Sequence, residues 1–262
     1  MHTEIQNKQI KVGGLDIHYL TAGQGDPLIV IHGGSEGARA WLNNMTELAA
    51  DYTVYVPDLP GFGTSQPPEG DYFIPELTEF VGQFARALGL ESFHLMGHSL
   101  GGGVALNYAL KSPHKLNKLV LVSSLCLGGE IAFWVRFLSL PALYRAISAT
   151  SLALFRGVRW LVKALLLPVE FVIPWDRQTI NLGGSITTFK EQTLVLASQL
   201  SGLMVPTLVV WGARDPIVPV RQAYAAAQLI PDCQLKVFEG SGHSVYRDEL
   251  QQFSRLLAGF LG

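Results

Sequence analysis

The chain has 262 residues, of which 48% are hydrophobic and 15% charged, and its formal net charge is -2. That much apolar material can build a large core and excludes a disordered chain, while so small a net charge gives nucleic acid no electrostatic reason to bind. The most apolar stretch, 125–175, is interrupted by Arg136, Arg145, Arg156, Arg159, Lys163 and Glu170, so it lacks the run of about 20 apolar residues that a spanning helix needs, and no stable membrane insertion is expected.

In chain order, the opening segment 1–14 is polar and has no apolar core of the signal-peptide kind, so a cytoplasmic location is expected. "IKVGGLDIHYLTAG" reads as a hairpin turned at Gly13-Gly14. Short apolar runs follow, each ending in glycine or a polar turn: "PLIVIHGG", "YTVYVPDLPGFG", "SFHLMGHS", "LNKLVLVSS", "PTLVVWGARD" and "CQLKVFEGSGH". Helix-length segments separate most of them, at Ala38 to Ala50, Pro75 to Leu88, Leu100 to Lys111, Val220 to Leu229 and Asp248 to Leu261. Strands alternating with helices predict an α/β fold with a mostly parallel central sheet covered on both faces. From 127 to 192 the alternation stops. Ile131, Trp134, Val135 and Leu138 repeat at helical spacing, as do Val158, Leu161, Val162 and Leu165, and strand pattern resumes only at Thr207. The division expected is a core of 1–126 and 193–262 with an all-helical insertion at 127–192. Cys126 and Cys233 fit no metal or redox spacing and read as small buried apolar residues.

The stretch "FHLMGHSLGGGVALNYAL" carries the main chemical signal. Ser99 stands where strand pattern becomes helix pattern, between Gly97 and Gly101, and Gly-His-Ser-Leu-Gly fits a nucleophile elbow. Small flanking residues let strand and helix close around a strained turn that exposes the hydroxyl. The helix start turns unpaired N–H groups towards any negative charge formed there. A serine hydroxyl needs a base, and the base needs an orienting acid. Asp215 and His243 each follow a later predicted strand, in the order that the elbow implies. Asp58 precedes the serine and reads as a brace for its own turn; Glu239 and Asp248 do not end a separate strand. His18, His94 and His114 have ordinary surface or core explanations, and His98 is expected to pack, pointing away from the hydroxyl.

Five ordered motifs, "IHGG", "DLPGFGTS", "GHSLGG", "GARDPIVP" and "GSGHS", make the chain resemble the α/β-hydrolase fold family over nearly its whole length. The resemblance implies Ser99 as nucleophile, Asp215 as acid and His243 as base. It implies an oxyanion hole from the backbone N–H of Leu100 and of Gly34, with Ser35 the alternative to Gly34, and a structural role for His32. No cofactor and no metal are called for. The insertion corresponds to the family's cap, whose Trp134, Phe137 and Leu138, with Ser35, are the candidate substrate pocket. The implied activity is that of a serine esterase acting on a small-molecule ester or related carbonyl substrate, with homo-oligomer formation left open.

"HGGSEGARAWLNN" is also similar to the oxyanion loop of carbon–carbon hydrolases acting on aromatic ring-fission products, with Trp41 and Asn43 in matching places. Ser35 and Glu36 replace their usual glycine and proline, His98 their asparagine, and Ser244 their tryptophan. Ester hydrolysis is therefore the first expectation and carbon–carbon cleavage the alternative, followed by a small-molecule receptor that retains the triad. Glu36 is expected to be an exposed loop carboxylate.

Overall fold

The structure, a computed structural model, describes residues 4–34, 36–70, 72–138 and 191–262. Most of the expected insertion, Ser35 as a whole and the side chains of Trp134, Phe137 and Leu138 lie outside the described residues.

Gly13 and Gly14 both take positive φ, +57° and +89°, which a two-residue hairpin between right-twisted strands demands. They join β1 (Gln6–Val12) to β2 (Leu15–Ala22) in antiparallel register. The remaining strands are β3 (Asp26–Ile31), β4 (Tyr52–Pro57), β5 (Phe93–His98), β6 (Leu116–Val122), β7 (Thr207–Gly212) and β8 (Cys233–Phe238). They form one eight-stranded sheet in the order β1-β2-β4-β3-β5-β6-β7-β8, parallel from β4 to β8.

The continuous apolar runs are explained by burial on both faces. Successive side chains of a strand point to opposite sides, so Ile29, Ile31, Leu95, Leu119, Leu121, Val209 and Trp211 enter one core. Leu28, Val30, Met96, Val120, Val122, Leu208 and Val210 enter the other. The first core is closed by helices Ile74–Ala87 and Leu100–Lys111, the second by Leu42–Leu48 and Leu250–Leu261. The stretch expected as one helix at 38–50 begins with a 3-10 turn, Ala38–Trp41, before helix Leu42–Leu48. The last helix starts at Leu250, because the short turn Val245–Asp248 precedes it.

Both cysteines are free; burial pushes the Cys126 thiol up to about 12, so it behaves as a small apolar side chain. Cys233 is half-buried and thus less enclosed than expected. Among the described residues, no helix is long and apolar enough to cross a membrane.

Candidate active site

The parallel strands bring their carboxyl ends to one rim, the place where open α/β sheets hold ligands. Ser99 follows β5 with φ 53° and ψ -114°, a conformation that costs an L-residue about 1–3 kcal/mol. The surroundings impose it. Ser99 N–H donates to the Val122 carbonyl at 2.9 Å, and its own carbonyl accepts from Gly103 N at 3.1 Å and Leu125 N at 3.0 Å.

The flanking glycines are steric requirements. A Cβ on Gly97 would lie 2.1 Å from the Gly101 carbonyl oxygen, and one on Gly101 would lie 2.3 Å from the carbonyl oxygen of Ile31 at the end of β3. Both obstacles are backbone and cannot step aside. Gly101→Ala is expected to destabilise the chain by about 3 kcal/mol and lower its melting temperature by roughly 10 °C in a calorimetric or dichroism scan.

Asp215 follows β7 and His243 follows β8. The Asp215 side chain is fully buried, and its Oδ1 accepts from the amides of Ile217 at 2.8 Å and Val218 at 3.0 Å. That fixes the carboxylate so that Oδ2 meets His243 Nδ1 at 2.8 Å. The pairing selects the Nδ1–H tautomer and leaves Nε2 as the basic nitrogen. Two backbone hydrogen bonds, Ala213 N to the Phe238 carbonyl and Arg214 N to the Ser241 carbonyl, tie the acid's loop to the histidine's. The residue before Ser99 reaches the histidine as well: His98 Nε2 lies 3.0 Å from the His243 carbonyl oxygen, and the two rings stand 4.8 Å apart. Among the described residues no hydrogen bond joins Ser99 to His243, a contact that in many hydrolases tightens only when substrate is bound.

Neither the Gly34 nor the Leu100 amide donates to any group among the described residues, so both are available where the resemblance puts the oxyanion hole. His32 braces that loop. Its Nδ1–H donates to the Gly33 carbonyl at 2.8 Å and its Nε2 accepts from Leu59 N at 3.0 Å. Burial lowers its pKa and keeps it neutral, as those two bonds require. Asp58 is a brace too, accepting from Ala38 N, Thr64 N and His18 Nδ1. Asp248 accepts from Gly242 N and Glu239 is exposed. His94 is buried edge-on to Tyr52, and His114 is exposed.

Two expectations are corrected. Glu36 is not an exposed loop carboxylate: its side chain is 11% exposed and accepts from Tyr246 Oη at 2.8 Å and Arg247 Nη2 at 2.7 Å. His98, expected to pack, also lies within hydrogen-bond distance of the His243 main-chain carbonyl. Tyr246 and Arg247 were missed. Their only local signal is their place just after His243, and their partner lies more than two hundred positions earlier.

The model of the alpha/beta hydrolase fold matches residues 26–250. The chain is 30% identical to a 2-hydroxy-6-oxo-6-phenylhexa-2,4-dienoate hydrolase of Burkholderia cepacia over 263 residues, 94% of this chain and 91% of the relative. A candidate lipase structure from Acinetobacter baumannii superposes with a TM-score of 0.77 at 28% identity, covering 98% of this chain and 91% of that one. The carboxylesterase CesB of Bacillus subtilis, at 21% identity and a TM-score of 0.75 over 98% and 92%, shares the fold. These relatives support hydrolase activity. The chain belongs to the alpha/beta hydrolase fold family.

Proposed function

We propose that the chain is a serine hydrolase that cleaves carboxylic esters of small to medium apolar substrates through an acyl-enzyme. The observation that carries this reading is the Asp215–His243 pair at 2.8 Å on the rim where the strained Ser99 stands. Ser99 Oγ attacks the carbonyl carbon while its proton passes to His243 Nε2, and the carbonyl oxygen becomes an oxyanion facing the Gly34 and Leu100 amides. Each such donor is worth roughly 3–4 kcal/mol of transition-state stabilisation. Collapse breaks the bond to the alcohol oxygen, which takes the proton from His243. Water then gives a proton to His243 as it attacks the acyl carbon, and the second collapse returns that proton to Ser99. Asp215 stabilises the imidazolium in both halves.

The domain division is part of the proposal: the resemblance makes 127–192 a cap and Ser35, Trp134, Phe137 and Leu138 its candidate acyl-pocket residues, whose side chains lie outside the described residues. A cytoplasmic location belongs to the same proposal. Carbon–carbon cleavage is the second reading, favoured by the Burkholderia cepacia relative. One substrate panel separates the two. For p-nitrophenyl esters, kcat/KM is expected to rise at least about tenfold from acetate to octanoate, as each buried methylene adds transfer free energy. Turnover of a 2-hydroxy-6-oxodienoate ahead of every ester would favour the second reading. Binding without turnover of either class would favour a receptor.

A further inference from the structure

Glu36 and His98, two of the positions that depart from the carbon–carbon hydrolase pattern, meet in the fold. Glu36 Oε2 lies 3.4 Å from His98 Nδ1, within ion-pair distance, and among the described residues neither atom has a hydrogen-bonding partner. The opposite nitrogen of the same ring, Nε2, lies 3.0 Å from the His243 carbonyl oxygen. A carbonyl can only accept, so Nε2 carries a proton. The other ring nitrogen, Nδ1, faces the carboxylate, so the imidazole stands between Glu36 and the His243 carbonyl. Space for the contact is made by the loop after β3: a Cβ on Gly33 would sit 2.9 Å from His98 Nδ1 and 3.4 Å from Glu36 Oε2.

The other carboxylate oxygen clamps the far side of the histidine loop through Tyr246 and Arg247. Tyr246 is itself stacked on Trp41 at 4.1 Å and lies edge-on to His98 at 5.0 Å. Burial alone would raise the Glu36 carboxyl. His98, Arg247 and the Tyr246 hydroxyl outweigh it and hold the group well below the usual carboxylate range. A buried anion is costly to maintain unless it is paired and hydrogen-bonded. This one sits where the loops after β3, β5 and β8 touch, the three loops that carry Gly34, Ser99 and His243.

The geometry points to Glu36 and His98 as a coupled pair of positioning residues that fix the main chain of His243 and lock its loop to the elbow and the oxyanion loop. The inference rests on the reading of Ser99 as nucleophile and His243 as base. Asp215 holds the imidazole at Nδ1, and His98 holds the backbone behind it. With both ends fixed, Nε2 has one direction in which to aim. Loss of either half of the pair lets the histidine loop relax and misplaces the base, without touching the substrate.

The test uses the full chain as Glu36→Gln, His98→Leu, His98→Gln and the Glu36→Gln/His98→Leu double variant, with p-nitrophenyl butyrate as substrate. Active sites are counted by fluorophosphonate titration, so that kcat is expressed per competent Ser99. His98→Leu is expected to lower kcat about 30-fold and Glu36→Gln about tenfold, with KM within about threefold, as a displaced base predicts. His98→Gln keeps a donor for the His243 carbonyl and is expected to recover most of the loss. In the double variant the losses are expected not to multiply, because the two side chains act as one unit. Unchanged kcat per titrated site in Glu36→Gln overturns the proposal, even if His98→Leu fails to fold. Losses that multiply independently overturn it as well. Failure of the wild type to react with the fluorophosphonate at Ser99 removes the underlying triad reading and the proposal with it, and is distinguished by appearing before any variant is made.

Discussion

Ser99→Ala is expected to abolish ester hydrolysis, with a fall in kcat of about 10⁶-fold, because loss of the nucleophile disables every later step. Binding should survive, since the Gly34 and Leu100 amides do not depend on the hydroxyl. The variant should also fold: a methyl in place of CH₂OH leaves the backbone bonds from Ser99 to Val122, Gly103 and Leu125 untouched. Ser99→Gly adds a second readout. At φ 53° the native residue stores strain that glycine does not feel, so this variant is expected to be equally inactive yet more stable by about 1 kcal/mol. Higher stability bought by lost activity is the mark of strain kept for chemistry. A serine that merely packed would lose stability on truncation and leave turnover alone.

Asp215→Asn carries the second large effect, a fall in kcat of about 10⁴-fold with the active site otherwise intact. The carboxylate is held by two backbone donors at Oδ1 and offers Oδ2 to His243 Nδ1. An amide can keep the Oδ1 contacts with its oxygen, but its nitrogen then points at His243 as a donor. The imidazole must present a lone pair at Nδ1, the proton moves to Nε2, and the base is blocked. Steady-state kinetics on the same ester, at matched active-site titre, reads this directly. Asp248→Asn is the control. Among the described residues Asp248 accepts from Gly242 N within the histidine loop, so kcat of this variant is expected to stay within about threefold of wild type. Equal losses in the two variants would remove Asp215 from its assigned role.

Much of the fold was legible because the sheet is buried on both faces. Runs such as "LNKLVLVSS" and "PTLVVWGARD" have no polar alternation to confuse with an exposed strand, and each ends in turn residues. Helix Leu100–Lys111 falls at its expected limits because the elbow starts it and Ser112-Pro113 ends it. Less legible was the stretch 38–50, where apolar spacing is helical throughout. The 3-10 turn there begins at Ala38, whose amide donates to Asp58, a contact across the chain that local spacing does not show.

The same divide runs through the site. Ser99, Asp215 and His243 each announce themselves by a local signal, a strand end followed by a polar turn. Glu36 does not, because in "GGSEGA" a carboxylate reads as solvated, and its burial depends on Tyr246 and Arg247 arriving from the far end of the sequence. Residues that act on substrate lie at predictable places in this topology, whereas residues that steady them are defined by contacts between loops that sequence spacing does not encode.

The decisive measurement is the intact mass of the chain after reaction with a fluorophosphonate, followed by peptide mapping. If the rim of the sheet works as an acyl-transfer centre, one phosphonyl group is gained per chain, on Ser99, at a rate that falls with ester turnover in Asp215→Asn. Modification of a different residue, or ester turnover that continues undiminished in Ser99→Ala, would contradict the account.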